Sequence, residues 1–123
     1  MILLLGTRNK GKIRELKELL ADVKGMKLLS VADRPFAEVE EDGETFRDNA
    51  LLKARSISSQ TGLCVLADDA GLEVDALGGE PGVRSARYSG EPVDYERNNA
   101  LLLERMHAIV DRRARFVIVV ALH

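Results

Sequence analysis

The chain has 123 residues, 46% hydrophobic and 31% charged, with a formal net charge of −2. That length suffices for one domain with a real core, and the slightly acidic balance argues against a general nucleic-acid binder, which carries a basic surplus. No run approaches a membrane span, and the apolar opening Met1 to Leu5 is too short for the apolar region of a signal peptide. The single cysteine, Cys64, lies in an apolar run and has no internal disulfide partner, which fits a core position in a reducing compartment. A cytoplasmic protein with no membrane and no nucleic-acid polymer as partner is therefore expected.

Taken in order, Ile2-Leu3-Leu4-Leu5 reads as an apolar strand, followed by the polar loop Gly6-Thr7-Arg8-Asn9-Lys10-Gly11-Lys12. Ile13, Leu16, Leu19, Leu20 and Val23 then recur at helical spacing and predict an amphipathic helix. Strand, glycine-bearing loop and helix together aim free backbone amides and the positive helix end at an anion, and Arg8, Lys10 and Lys12 add formal charge there. Gly6 to Lys12 has the glycine and lysine spacing of a Walker A loop, but Ile13 stands where a magnesium-holding Ser or Thr belongs. Arg14-Glu15-Leu16-Lys17-Glu18 grazes a Nudix signature that Leu19 ends. The alternatives are thus a phosphate loop of another kind and a basic surface loop.

Met26 to Val31 is expected to form a short strand, broken by Asp33-Arg34-Pro35. Glu38 to Glu44 carries five acidic groups in seven residues, mostly a solvated loop. One of them suffices as a ligand, because a Mg²⁺ site takes only one or two protein carboxylates beside water and phosphate oxygens. Thr45 is placed to cap a helix that runs to about Gln60 and is closed by Thr61-Gly62, with Phe46, Ala50, Ala54 and Ile57 as its apolar stripe. Beside that stripe, Thr45, Asn49 and Lys53 recur every four residues and share a face, where Lys53 offers a point charge to a phosphate or simply snorkels into solvent.

Leu63 to Ala67 reads as a buried strand with Asp68 and Asp69 at its C-terminal end and the small pair Ala70-Gly71 turning the chain. Ligands bind at that end of α/β sheets, and strand alternation sends the two aspartates to opposite faces, so only one of them leads a given site. The competing reading is a turn opened by two aspartates. Leu72 to Leu77 alternates like a half-buried strand, and Gly78 to Gly82 is a loop. Asp94 is placed to cap a third helix with Leu102, Leu103, Met106, Ile109 and Val110 inward. His107 and His123 have no second ligand at metal spacing, which disfavours zinc. Phe116 to Leu122 reads as a continuous apolar strand of central-sheet type.

Several of these pieces resemble the inosine triphosphate pyrophosphatase family. They are Thr7-Arg8-Asn9-Lys10-Gly11-Lys12, Glu41-Asp42-Gly43-Glu44-Thr45-Phe46 with Asn49-Ala50 and Lys53-Ala54, and Ala67-Asp68-Asp69-Ala70-Gly71-Leu72. Leu77-Gly78-Gly79, Pro81-Gly82 and Ser85-Ala86-Arg87-Tyr88-Ser89-Gly90 continue the match in order over nearly the whole chain. The resemblance implies an α/β fold with an elongated mixed β-sheet flanked by helices, and a homodimer. It implies Mg²⁺-dependent hydrolysis of a purine nucleoside triphosphate (inosine, deoxyinosine or xanthosine) to the monophosphate and pyrophosphate. By the same resemblance Thr7, Arg8, Asn9, Lys10, Gly11 and Lys12 form the phosphate loop, Lys53 binds phosphate, Glu41 and Asp69 bind metal, and Asp69 serves as base for the attacking water.

Ala70 stands where the family commonly has Ser, so a substrate contact there falls to its backbone amide, and Arg8 stands where many members have Gly. The family's Phe-Gly-Tyr-Asp segment and Ser-His-Arg motif, which grip the base, have no counterpart here. The sequence therefore reads as a single α/β domain, residues 1–123, lacking a C-terminal base-recognition part, with base-indifferent binding and little turnover of its own. A septum-inhibitor-type pyrophosphatase and a non-catalytic nucleotide-binding module are the other readings.

Overall fold

The computed structural model describes every residue from Met1 to His123. Four strands form a mixed sheet: β1 (Ile2–Leu5), β2 (Lys27–Leu29), β3 (Cys64–Val74) and β4 (Ala114–Leu122), in the order β2-β1-β3-β4. Three helices connect them: α1 (Lys10–Leu19), α2 (Phe46–Thr61) and α3 (Tyr95–Arg105), with short 3₁₀ turns at Asp75–Leu77 and Gly82–Arg87. The chain divides into two compact units, one of Met1–Asp69 with Val119–His123 and the other of Ala70–Ile118.

In the first unit β1 lies parallel to both neighbours, pairing Leu3 with Leu28 on one side and Leu4 with Val65 on the other. Val65 and His123 exchange N–H···O=C bonds in both directions, at 2.8 and 3.0 Å, which makes β4 antiparallel to β3. The core is one face of this sheet against α2: Leu4, Val65, Ala67 and Ala121 meet Ala50, Ala54 and Ile57. Small alanines on both surfaces bring helix and sheet close together. Helix α2 is stopped at both ends as its sequence demands: Thr45 Oγ1 accepts from Asp48 N, and Gly62 takes φ 71°, a left-handed conformation open to glycine.

The second unit is held in part by polar contacts around the buried Asn98 and by pairs nearer the surface. Asp94 caps α3 by accepting from Arg97 N, and Asn98, one turn in, donates to the carbonyls of Ser85 and Ala86. Its Oδ1 accepts from the amide and hydroxyl of Ser89, so one side chain staples the 3₁₀ turn to the helix. Arg115 pairs with Glu73 across β4 and β3 at 2.8 Å, and Arg105 stacks over the Tyr88 ring at 5.0 Å.

Four sequence expectations change. Strand β3 does not end at the aspartates but runs on through Gly71 to Val74, because its pairing overrides the local turn preference of Asp-Asp-Ala-Gly. Strand β4 is an edge strand, not a central one, and its alternate residues Phe116, Ile118, Val120 and Leu122 are exposed, Phe116 to 81%. Helix α1 buries no residue, and Leu19 is 78% exposed. Helix α3 stops at Arg105, so Ile109 and Val110 lie beyond it; Leu103 and Val110 face solvent, and Met106 alone of the expected stripe is fully buried.

Candidate active site

The loop after β1 is shaped by packing before any ligand is considered. A Cβ on Gly6 would stand 2.8 Å from Val65 Cγ1 and 3.1 Å from Ala67 Cβ, so β3 admits only glycine there. Gly6 N also donates to Leu66 O at 2.7 Å, which carries the β1–β3 ladder to the last residue before the loop. Thr7 Oγ1 then accepts from Asn9 N, and Asn9 Oδ1 accepts from the amides of Gly11 and Lys12 at 2.9 and 3.2 Å. Asn9 is thus the N-cap of α1. Arg8, Lys10 and Gly11 are exposed on the surface of the loop. Lys12 reaches back from the first turn of α1 and places Nζ 2.7 Å from Oδ2 of Asp68.

Asp68 and Asp69 leave β3 on opposite faces, as strand geometry requires. Asp68 meets Lys12 of α1, whereas Asp69 accepts from Nδ2 of Asn49 on α2 at 3.1 Å. Both aspartates are buried. One helical turn beyond Asn49, the nearly buried Lys53 places Nζ 3.0 Å from Oε1 of Glu41, which lies on the long segment between β2 and α2. Glu41 is also within hydrogen-bonding reach of Asp69. The row read as Thr45, Asn49 and Lys53 therefore splits: Thr45 caps the helix and stays exposed, while the other two serve a charged cleft. Asn49 was visible in the sequence only as a member of that row; its partners lie on Gly43 and Asp69, which spacing along α2 does not reveal.

Burial pushes the Asp69 carboxyl above the ordinary carboxylate range. The Asn49 donor pulls it down, the facing Glu41 pushes it up, and Lys53 pulls it down. Two carboxylates that face each other and raise a proton affinity by mutual repulsion suit a divalent cation between them. No group of three or more His, Cys, Asp or Glu side chains gathers at metal-binding distances, which disfavours an all-protein metal cage. Magnesium needs no such cage, since one or two carboxylates with water and substrate oxygens complete its shell. Glu41 and Asp69 fit that requirement.

A pocket of about 110 Å³ opens beside these groups, lined by Gly6, Thr7, Arg8, Glu41 and Lys53 and floored by apolar side chains that include Phe36 and Ile57. The structure thus brings Thr7, Arg8, Glu41 and Lys53 to one opening, sets Asp69 against Glu41, and anchors Lys12 on the other side of β3 through Asp68. Asn9 and Gly11 belong to the cap of α1, and Lys10 is its exposed first residue. Ala70 follows Asp69 in β3 and is the first residue of the second unit.

The mixed α/β sheet thus carries two lysine–carboxylate pairs, Lys12–Asp68 on one face of β3 and Lys53–Glu41 beside Asp69 on the other. The chain belongs to the Ham1 family, which residues 3–123 match. It is 52% identical over 125 residues to a dITP/XTP pyrophosphatase of Desulforamulus reducens, covering 99% of this chain and 62% of that protein. It is 55% identical over 124 residues to a dITP/XTP pyrophosphatase of Thermus thermophilus, covering 99% of this chain and 59% of that one. Its fold matches the solved structure of the Staphylococcus aureus Ham1 protein with a TM-score of 0.87 at 39% identity, over 100% of this chain and 63% of that one. The chain thus spans about three fifths of the length of the relatives it matches.

Proposed function

We propose that this chain carries the triphosphate- and cation-handling half of a pyrophosphatase acting on non-canonical purine nucleoside triphosphates such as dITP and XTP. The observation that carries this reading is the facing pair Glu41 and Asp69, with Lys53 on Glu41 and the Thr7-Arg8 loop around the same opening. The names and identity of the relatives, dITP/XTP pyrophosphatases at 52% and 55%, support the substrate class.

Glu41 and Asp69 are the residues that would hold Mg²⁺, which when bound supplies positive charge against the phosphate oxygens and the attacking water. Lys53, now resting on Glu41 at the edge of the opening, is the lysine placed to transfer to a phosphate oxygen, while Lys12 rests on Asp68 across β3. Thr7 and Arg8 line the opening where the phosphates would lie. Asp69, whose proton affinity burial raises, is suited to take a proton from water. A bond forms between the water oxygen and the α-phosphorus as the bond from that phosphorus to the bridging oxygen breaks. The water proton passes to Asp69, and pyrophosphate leaves with the bridging oxygen.

Phosphorus NMR of dITP or XTP incubated with the protein and Mg²⁺ tests this directly. Monophosphate and pyrophosphate are expected as the first products. Orthophosphate and diphosphate appearing first would mean attack at the γ-phosphorus and would overturn the mechanism.

A further inference from the structure

We infer that Asn49 is a positioning residue for the divalent cation, its one carboxamide setting the Glu41–Gly43 loop against the Asp69 carboxylate. The inference rests on the reading of Glu41 and Asp69 as the cation's ligands. Asn49 is 1% exposed, and both ends of its amide are used. Its Oδ1 accepts from Gly43 N at 2.8 Å, and its Nδ2 donates to Asp69 Oδ2 at 3.1 Å. The amide's orientation is set by these partners: a backbone N–H only donates, so the oxygen must face Gly43, and the nitrogen is left for the carboxylate.

The approach of the loop to α2 is close. A Cβ on Gly43 would lie 2.6 Å from Asn49 Oδ1 and 2.8 Å from Asp48 Cβ, so only glycine brings this backbone down onto the helix. Gly43 is two residues from Glu41, and two residues of chain span at most about 7 Å. Holding Gly43 therefore confines Glu41. Helix α2 grips the loop a second time where Lys53 meets Glu41 at 3.0 Å. Lys53, however, is the group that a phosphate would draw away. The bond from the Gly43 amide to Asn49 Oδ1, made to a buried neutral side chain, offers a phosphate no such competition, and it holds the loop once Lys53 has moved.

The test uses Mn²⁺ as the probe, its binding to the full chain followed by electron paramagnetic resonance without nucleotide. Parent, Asn49→Ala, Gly43→Ala and Asp69→Asn are compared, with Asn98→Ala as a buried asparagine that braces the other unit. Asn49→Ala and Gly43→Ala are each expected to weaken Mn²⁺ binding by about 10–100-fold, the usual effect of losing an outer-shell partner. In Asn49→Ala the Gly43 amide is also expected to exchange faster with solvent. Asn98→Ala is expected to lower the melting temperature and leave Mn²⁺ affinity unchanged, which separates positioning from a general loss of stability. If Asn49→Ala does not fold, Gly43→Ala alone decides. Binding lost in Asp69→Asn but kept within twofold in the folded Asn49→Ala, or in Gly43→Ala where that one decides, overturns this inference and leaves the cation site standing. A parent chain that binds no Mn²⁺ overturns both.

Discussion

Asp69 sits where stability and chemistry pull in opposite directions. Burial raises its proton affinity above that of an unfolded aspartate, so ionising it works against the fold. A group with a raised native value contributes its full stability below its unfolded value and loses that contribution as pH rises through the native one. Asp69→Asn removes the buried charge and keeps an acceptor for Asn49, so it is expected to raise the melting temperature at pH 7 by a few degrees. That difference should shrink in thermal scans taken toward pH 4. Where the parent turns over substrate, the same change is expected to reduce the steady-state rate by about 10²–10⁴-fold, the typical share of a general base. Asp68→Asn, on the other face of β3, is expected to cost less turnover and to act through Lys12. That the aspartates diverge was legible from strand alternation alone. That Asn49 joins one of them to the acidic loop was not, because a hydrogen bond between α2 and β3 leaves no periodicity in either segment.

At the scale of elements, helix ends were the most legible. Thr45 and Gly62 bound α2, and Asp94 begins α3, because caps are local chemistry between a side chain and amides two or three residues on. Strand ends were less legible: β3 carries on through residues that favour turns because β4 pairs along it, as Glu73 and Arg115 show. The apolar run of β4 suggested a strand covered on both faces, whereas its alternate residues face solvent beside an open edge. Such an edge pairs readily with another chain. The protein is therefore expected to self-associate as its concentration rises, measured by sedimentation velocity. Ile118→Lys with Val120→Lys should suppress that association without altering Mn²⁺ binding. An unchanged sedimentation profile would place the contact elsewhere.

Across the molecule, the modest net charge of −2 conceals where the charges are. Arg8, Lys10 and Lys12 suggested a loop that presents bare cations to phosphate, yet Lys12 rests on Asp68, and Lys53, farther along, rests on Glu41. Both lysines carry a built-in counterion, and only Lys53 stands at the opening, so on the proposed reading a triphosphate would not simply add to the site. It would exchange with Glu41 for Lys53, and Glu41 would find its new partner in the incoming cation. Binding then resembles a double displacement in which salt partners are swapped. Metal-free triphosphate should therefore bind the parent poorly and Glu41→Gln several-fold more tightly, because the substitution releases Lys53. With Mg²⁺ present the ranking should invert, since Glu41 is then needed. Calorimetry with inorganic triphosphate, with and without Mg²⁺, reads both arms; weaker binding by Glu41→Gln in both would mean that the lysine was never withheld. On the proposed reading, a cleft arranged this way would hold Lys53 back from stray anions and release it to the anion that arrives with a metal.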